Sequence, residues 1–338
     1  MAAASGLNRR EIFSQWGRSQ KQAAVARPLR PELVVERRAM ACEFSLRFPA
    51  GSRRATDAGC AALDEVELLE SKLSVYCEDS DISCLNRGAA ESAVHVDAGV
   101  YRLLRLASRL SAATGGAFDA TTGALVRAWG FLHGPKRVPS ESELAAALAG
   151  CGSRHIEFDD TQCAIRARRP GIEFNLGGIG KGFAIDRALE LVRGRFAIRC
   201  ALMQGGQSSL KGIGAPPGEG RGWPVAIADP LRPGRAVARV WLRDRAMGTS
   251  AADHQSFVDG GRRFGHILDP RTGWPARRLH GAPAIATSAA EAAALSTAFF
   301  VMGADETRRF CAEHPQYGAV LVAPEVLTMG AADVELTS

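Results

Sequence analysis

The stretch NLGGIGKGFAID, residues 175–186, indicates both the local fold and the chemistry of this chain. A short apolar run ends in closely spaced glycines, and a helical pattern follows with Lys181 in its first turn. Such a strand, turn and helix bring free backbone N–H groups, the positive end of a helix dipole and a lysine together, which favours a phosphate. The segment is neither a Walker A loop nor a Rossmann G-x-G-x-x-G. A tight turn with a solvated lysine is the alternative.

The pattern around this segment predicts a protein of both helices and strands. Apolar residues recur at helical spacing in residues 57–77, 100–113, 140–148, 181–193 and 289–302. Strand candidates are residues 44–48, 155–158, 164–167, 172–176, 198–203, 225–227, 237–242 and 319–322. Ser140 and Glu143 suit a capping box, and Asp259-Gly260-Gly261 suits a hairpin turn. Strand clusters separated by helices predict an α+β or mixed α/β fold with a partly antiparallel sheet.

Composition restricts the class of protein. The chain has 338 residues, of which 46% are hydrophobic and 23% charged, values that exclude global disorder. No apolar run approaches the roughly 18 residues of a membrane span. The net charge of +6 would suit an anionic ligand, but no basic stripe interleaved with aromatic residues appears, so we expect no nucleic-acid partner.

The termini and cysteines bear on domain organisation and compartment. We expect residues 1–34 to form a flexible basic tail and residues 35–338 to form one domain. Arg9-Arg10 resembles a twin-arginine export signal, but the polar residues 14–21 follow it instead of an apolar segment, which predicts a cytoplasmic protein, with the periplasm as the alternative. The 8 cysteines are scattered, without zinc-site spacing, which favours reduced thiols.

Three further turns carry candidate functional side chains. Residues 114–123, TGGAFDATTG, join a helix end to a turn-rich stretch, and residues 205–207, GGQ, follow a predicted strand. Residues 266–273, HILDPRTG, hold a histidine, an aspartate and an arginine within a short turn, and such an arginine can clamp phosphate. Each turn alone is equally consistent with a structural role. Their joint presence favours a ligand site.

Taken together, these segments resemble the FAD:protein FMN transferases, the ApbE-type flavin transferases, from about residue 40 to residue 303. The resemblance is carried by LSVY (73–76), SDISCLN (80–86), TGGAFD (114–119), WGF (129–131), GGIGKGFAID (177–186), GG (205–206), HILDPRTG (266–273) and AAALSTA (292–298). It implies an α+β body with an FAD cleft between lobes. It also implies Mg²⁺-dependent transfer of FMN from FAD to a Ser/Thr hydroxyl of a target flavoprotein, with release of AMP. Some members instead hydrolyse FAD to FMN and AMP.

The resemblance also assigns candidate site residues. The residues implied to line the FAD site are Met40, Tyr76, Ala117, Phe118, Asp119, Gly177, Lys181, Asp186, Ser250, His266 and Ile267. Among these, Lys181 would meet phosphate, and His266 is the candidate catalytic residue, which would assist the acceptor hydroxyl or hold the diphosphate. For the metal, the family pattern implies the carbonyl of Gly180, the hydroxyl of Thr297 and an aspartate at the position that Ala293 occupies.

Departures from the family pattern concentrate at the expected metal site. Alanine cannot coordinate a cation, and Glu291, two residues before Ala293, lies on roughly the opposite helix face. Residues 40–42 read MAC where the family has Met-Gly-Thr, and residues 250–253 read SAAD where it has Ser-Gly-x-Tyr. Two hypotheses follow: an FMN transferase with a weakened metal site, or an FAD-binding carrier or regulatory protein with weak or no transferase activity. Asp253 and Asp269 are further candidate metal ligands.

Overall fold

A computed structural model describes residues 32–252, 255–330 and 333–337. The predicted tail lies outside the described residues, except for residues 32–34. These three residues pair with Arg47–Pro49 at the start of the first strand, so the sheet begins earlier than the predicted domain boundary. Within the described ranges, no helix combines the length and apolar character needed to cross a membrane.

Groups of helices and groups of strands follow one another along the chain. The helices are α1 (Ala55–Leu73), α2 (Asp81–Gly88), α3 (Ala98–Ala113), α4 (Gly123–Ala128), α5 (Glu141–Ala149), α6 (Gly180–Phe196) and α7 (Ala289–Glu313). The strands are β1 (Glu32–Ala39), β2 (Cys42–Pro49), β3 (Val94–His95), β4 (Ile156–Asp159), β5 (Ala164–Ala167), β6 (Ala201–Gly205), β7 (Ser209–Ile213), β8 (Trp223–Ala228), β9 (Ala236–Leu242), β10 (Arg245–Gly248), β11 (Ser256–Asp259), β12 (Arg262–Gly265), β13 (Ala284–Ala286), β14 (Gly318–Val322), β15 (Val326–Gly330) and β16 (Val334–Leu336).

A large antiparallel sheet of order β1-β2-β6-β7-β10-β13-β14-β15 forms the centre of the fold. Helices α1, α3, α6 and α7 cover one face, and the small sheet β16-β9-β8 covers part of the other. Central strands are therefore buried on both faces, and consecutive residues contribute to opposite cores: Ala284 and Ala286 join the helical core, whereas Ile285 joins the core under the small sheet. These layers confirm the predicted α+β class.

A third, smaller core lies apart from the main one. It is formed by α4, α5, the hairpin β11–β12 and the turn that follows the hairpin, and its buried members are Leu125, Trp129, Leu144, Ala147, Cys151, Phe264 and Leu268. The predicted hairpin is confirmed, because Gly260 and Gly261 both adopt positive φ angles (53° and 75°) between β11 and β12.

The predicted elements agree with the structure in most places and fail in two instructive ones. The capping box of Ser140 and Glu143 is present at the start of α5. Residues 172–176 do not form the predicted strand. Glu173 makes only an isolated parallel bridge with Thr122, and the side chain of Asn86 donates to the Phe174 carbonyl (3.1 Å) and accepts from its N–H (2.7 Å). The predicted helix 289–302 does end at Gly303, with φ of 74°, but a further helical segment follows at once.

Asp186 connects α6, β7 and α7. Its Oδ1 accepts hydrogen bonds from Lys211 Nζ (2.6 Å) and the N–H of Ala289 (2.9 Å). Its Oδ2 accepts from Ser288 Oγ (2.7 Å) and the N–H of Ala290 (2.9 Å). The carboxylate thus stabilises the positive end of α7 and a largely buried lysine at once, while Ser288 caps the same helix through the N–H of Glu291. This arrangement fixes where α7 begins.

We expect Asp186→Asn to lower the free energy of unfolding by about 3 kcal/mol, because it leaves the Lys211 charge unpaired in a poorly solvated position. Urea denaturation measures the loss. The matched control is Glu190→Gln on the same helix, which removes an exposed pair with Arg187 and is expected to cost at most about 0.5 kcal/mol. Equal losses in the two variants would contradict the role assigned to Asp186.

Candidate functional site

The glycine-rich turn before α6 is held by its own backbone. The N–H groups of Ile179 and Gly180 donate to the Leu176 carbonyl (3.0 and 2.7 Å), and the N–H of Gly177 donates to Asn175 Oδ1 (2.9 Å). No side chain caps α6 among the described residues. The first turn of this helix therefore keeps its positive end available to an anion.

Lys181 extends from this uncapped helix start. Its side chain is half-buried and makes no hydrogen bond or ion pair within the described part of the chain. Its charge acts on Cys42: burial raises the pKa of the thiol, and the ammonium group of Lys181 opposes that rise. A lysine without a counter-charge beside a helix N-terminus forms a site that favours phosphate.

The glycine turn lies directly against α7. A methyl group built on Gly178 would lie 3.3 Å from both Phe118 Cε2 and Thr297 Oγ1. At Gly182 such a group would meet the Ala289 carbonyl oxygen at 2.1 Å, so a side chain there is excluded. The absence of side chains at these positions brings the start of α6 and the first turns of α7 together.

A group of three hydroxyls stands at this junction. Ser250 Oγ lies 3.0 Å from Ser296 Oγ and 3.3 Å from Thr297 Oγ1. Ser296 and Thr297 also donate to the Ala293 carbonyl (2.8 and 3.4 Å). Sequence reasoning missed Ser296. Its spacing three residues after Ala293 and its place beside Thr297 are the signals that point to it.

The hairpin β1–β2 and the turn after β6 lie on another side of the site around Lys181. Met40 and Ala41 form the two-residue turn, with φ of 47° and 60°. The N–H of Gly206 donates to the Glu43 carbonyl (2.7 Å), and a methyl group on Gly206 would lie 3.2 Å from Cys42. Cys42, which directly follows this turn, is close enough to Lys181 to feel its charge, so the Met40 turn lies on the same side of the molecule as Lys181. A non-glycine residue at positive φ, such as Ala41, costs roughly 1–2 kcal/mol.

Tyr76 and His266 both contact one short segment, residues 131–133. Tyr76 Oη lies 3.4 Å from the Leu132 carbonyl oxygen, and its ring meets the His133 ring edge-on at 5.3 Å. The ring of His266 lies 6.4 Å from that of Phe131. Tyr76 is 59% exposed, which leaves an aromatic face for a ligand. Ile267, by contrast, is buried.

Comparison with known proteins agrees with this geometry. A model of the ApbE family matches residues 40–321, most of the chain.

The chain belongs to the ApbE family.

Relatives and solved structures support this assignment, and the similarity extends over most of the length of each of them. A Treponema pallidum protein named FAD:protein FMN transferase is 31% identical over 283 residues, which are 78% of each chain. A Haemophilus influenzae protein of the same name is 31% identical over 255 residues, 72% of this chain and 73% of that one. The crystal structure of the Thermotoga maritima ApbE protein superposes with a TM-score of 0.80 at 29% identity, covering 89% of this chain and 97% of that chain. The apo Pseudomonas stutzeri flavinyl transferase ApbE gives 0.77 at 26% identity, covering 89% and 94%.

The residues expected to hold a metal in the ApbE family are only partly suited to it here. Thr297 lies beside the glycine turn, which ends at Gly180. Ala293 lies one helical turn before Thr297 on the same half-exposed face of α7, but it offers only a methyl group. Glu291 instead accepts a hydrogen bond from Tyr317 Oη (3.0 Å), and burial together with that carboxylate raises the pKa of Tyr317 to about 12.

Among the described residues, no cluster of acidic side chains supplies the metal-binding carboxylate that is missing at position 293. The part of the chain that the structure describes holds no group of three or more His, Cys, Asp or Glu residues suited to a metal. Asp253 lies outside the described residues. The described donors are therefore neutral oxygens, a set that does not fit a resident Mg²⁺.

Asp269 and Arg271 pair with each other instead of meeting a ligand. Arg271 Nε and Nη2 each lie 3.0 Å from the Asp269 carboxylate, and Arg271 Nη1 donates to Glu306 at 2.9 Å. The Asp269 carboxylate raises the pKa of Arg271 above its ordinary value. The expected phosphate clamp is therefore a salt-bridged link between the turn 266–273 and the end of α7.

Two predicted cofactor residues have structural roles. Asp186 is saturated by the four donors described above. Asp119, also buried, accepts from Ser111 Oγ (2.7 Å), from Thr121 N and Oγ1 (2.8 and 2.6 Å) and from Ser153 N and Oγ (2.8 and 2.9 Å). With every carboxylate lone pair engaged, neither side chain is placed to accept a bond from a cofactor. Asp119 instead holds the loop that positions Ala117 and Phe118.

We expect Asp119→Asn to lower the free energy of unfolding by about 2 kcal/mol, because the new NH₂ group faces N–H and O–H donors in a buried site. The matched control is Asp159→Asn. Asp159 forms the same Asp-x-Thr turn with Thr161 on the surface, and its replacement is expected to cost much less stability, because solvent can satisfy the freed donors. If thermal and urea denaturation give equal losses, Asp119 is not the centre of its loop.

Proposed function

We propose that this protein is a FAD:protein FMN transferase, which moves FMN from FAD to a Ser or Thr hydroxyl of a target flavoprotein and releases AMP. The relatives that bear this name support the proposal. The observation that carries it is Lys181 at the start of α6, where neither an ion pair for the lysine nor a side-chain cap for the helix is found among the described residues, beside the turn that touches Thr297. Such a site suits phosphate groups, and FAD carries two of them.

The reaction needs positioning and charge neutralisation more than covalent catalysis. The acceptor oxygen forms a bond to the flavin-side phosphorus, and the P–O bond to the AMP phosphate breaks. AMP leaves with that electron pair, and the acceptor proton passes to a base. Lys181 and the α6 N–H groups would neutralise charge on the phosphates.

His266 would take the acceptor proton or hold the diphosphate. Its Nδ1 lies 3.2 Å from the Gln255 carbonyl oxygen. In the tautomer with the proton on Nδ1, that proton is donated to the carbonyl and Nε2 carries the basic lone pair. Met40, Tyr76, Ala117, Phe118, Gly177, Ser250 and Ile267 remain proposed FAD contacts.

Because the described residues do not form a resident metal site, any Mg²⁺ that takes part would be bound weakly, at the Gly180 carbonyl and the Thr297 hydroxyl. Since a neutral donor set anchors a hard cation poorly, the steps above depend on Lys181 and the helix start instead. The Ala293 position equally favours a second candidate, an FAD-binding carrier or regulatory protein. We propose the cytoplasm as the compartment and the periplasm as the alternative.

Mass spectrometry separates the two candidates. Protein, FAD and Mg²⁺ are incubated with a Ser/Thr-containing acceptor protein, and both the acceptor mass and free AMP are measured. An FMN adduct with AMP release supports the transferase. Tight FAD binding with neither product supports the carrier and overturns the proposal.

We expect Lys181→Ala to weaken FAD binding by roughly 1–3 kcal/mol, because a charged hydrogen bond to phosphate is lost. Isothermal calorimetry measures the affinity, and the unmodified protein should bind FAD more tightly than FMN. Arg193→Ala is the matched control, since it removes a positive charge from the last turns of the same helix and should leave the affinity unchanged. Unchanged affinity in Lys181→Ala would remove this lysine from the site.

We expect Ala293→Asp to raise Mg²⁺-dependent AMP release from FAD, because it places a carboxylate one helical turn before Thr297. The helix propensity cost is at most about 1 kcal/mol, so the variant should fold. Ala293→Asn is the control, with the same shape and no charge. The weak-metal interpretation is wrong if the unmodified protein already transfers FMN at a rate that saturates with Mg²⁺ and Ala293→Asp changes nothing; Asp253 and Asp269 would then be tested.

A further inference from the structure

We infer that Trp129 is a positioning residue for His266, an inference that rests on the proposed role of that histidine. Trp129 ends α4 and is fully buried (0% exposed). Its Nε1–H donates to the Gly273 carbonyl at 2.8 Å, across 144 positions of sequence. The bond joins the third core to the turn 266–276, which begins at His266.

Backbone hydrogen bonds cross-link the turn internally, so a contact that holds one part of it also holds the rest. The N–H of Asp269 donates to the Trp274 carbonyl (2.8 Å), the N–H of Gly273 returns to the Asp269 carbonyl (2.8 Å), and the N–H of Ala276 donates to the Ile267 carbonyl (2.9 Å). A change at one end of such a cross-linked turn is transmitted to the other.

Gly273 lies against the helices that carry Trp129. Its φ is 75°, and a methyl group built there would lie 2.7 Å from Leu144 Cδ1 and 3.1 Å from Leu125 Cδ2. The carbonyl that accepts from Trp129 therefore belongs to a residue that is itself pressed onto α4 and α5. A side chain at position 273 would have to displace these two leucines and would also be strained by the positive φ.

Aromatic rings connect the same tryptophan to the histidine by a second route. The Trp129 ring lies 5.5 Å from Phe264 and 6.3 Å from Phe257, whose ring lies 5.9 Å from Phe131. Phe131 in turn meets the His266 ring edge-on at 6.4 Å. Edge-on and tilted rings in this distance range attract one another and restrict each other's motion. Trp129 therefore fixes both the backbone of the turn and the ring that faces His266.

The opposite side of the turn is tied to α7. Arg271 joins Asp269 within the turn to Glu306 on the helix. The turn is thus held between Trp129 on one side and Glu306 on the other. Loss of the Trp129 bond should release one of two anchors without unfolding the protein.

The test compares two tryptophans. Trp129→Phe removes the indole N–H and keeps an apolar ring. Trp223→Phe is the matched control: Trp223 is also buried and its Nε1 donates to a carbonyl, that of Ile213 (3.3 Å), but it belongs to the core under the small sheet. Readouts are hydrogen exchange of residues 266–276 and the imidazole NMR signal of His266, assigned by its absence in His266→Gln.

We expect Trp129→Phe to speed exchange in residues 266–276 by about tenfold and to shift or broaden the His266 signal, while Trp223→Phe does neither. In the transfer assay, kcat should fall by about ten- to a hundredfold with the FAD KM within about twofold. Exchange and the NMR signal need no transferase activity, so they test positioning even if the proposed function fails.

Two results would overturn the inference. One is an unchanged turn and an unchanged His266 signal in Trp129→Phe; the other is an equal change in both tryptophan variants, which would indicate a general loss of stability. If Trp129→Phe does not fold, Arg271→Gln on the exposed side releases the other anchor. It should speed exchange of the same residues, and unchanged exchange there would also contradict a turn held from two sides.

Discussion

The fold depends on one carboxylate at the start of one helix. Asp186 occupies the positive end of α7 and compensates Lys211 on β7 in the same place. Because α7 carries the hydroxyls of Ser296 and Thr297, the position of its first turn sets where those groups lie relative to the glycine turn of α6. A carboxylate with four donors permits little rotation, so two helices and the sheet meet in a single defined geometry.

The chemistry at this junction is unevenly preserved. The part proposed to bind a dinucleotide combines, within the described residues, an uncapped helix start, a lysine that makes no ion pair and turns of small residues that let backbones approach. The position that should supply negative charge is a methyl group. Under the proposed function, an anion at this site would be bound by direct contact with the protein, and Lys181 would neutralise phosphate charge that a metal ion would otherwise neutralise.

Sequence patterns predicted the α+β class, the larger helices and the turn that carries Lys181, because these follow from local periodicity and glycine spacing. They missed the strand β1, whose polar and charged residues hide its pairing with β2. They also predicted a strand at residues 172–176, where the structure has only an isolated bridge to Thr122 and a pair of hydrogen bonds to the Asn86 side chain. The sequence also assigned Asp119 and Asp186 to the FAD site. The structure shows that protein groups occupy both carboxylates, and many of these groups come from distant parts of the chain, which a sequence pattern does not reveal.

Gly182 and Gly248 flank the first turns of α7 at separations that no side chain would permit. The junction is consequently built from main-chain contact, and its shape is independent of what residue 293 carries. Ala293 lies on a half-exposed part of the helix, so a carboxylate at this position is expected to need little repacking of these main-chain contacts. If the flavin cleft is as proposed, affinity for a divalent ion would vary with this one side chain while the cleft keeps its shape.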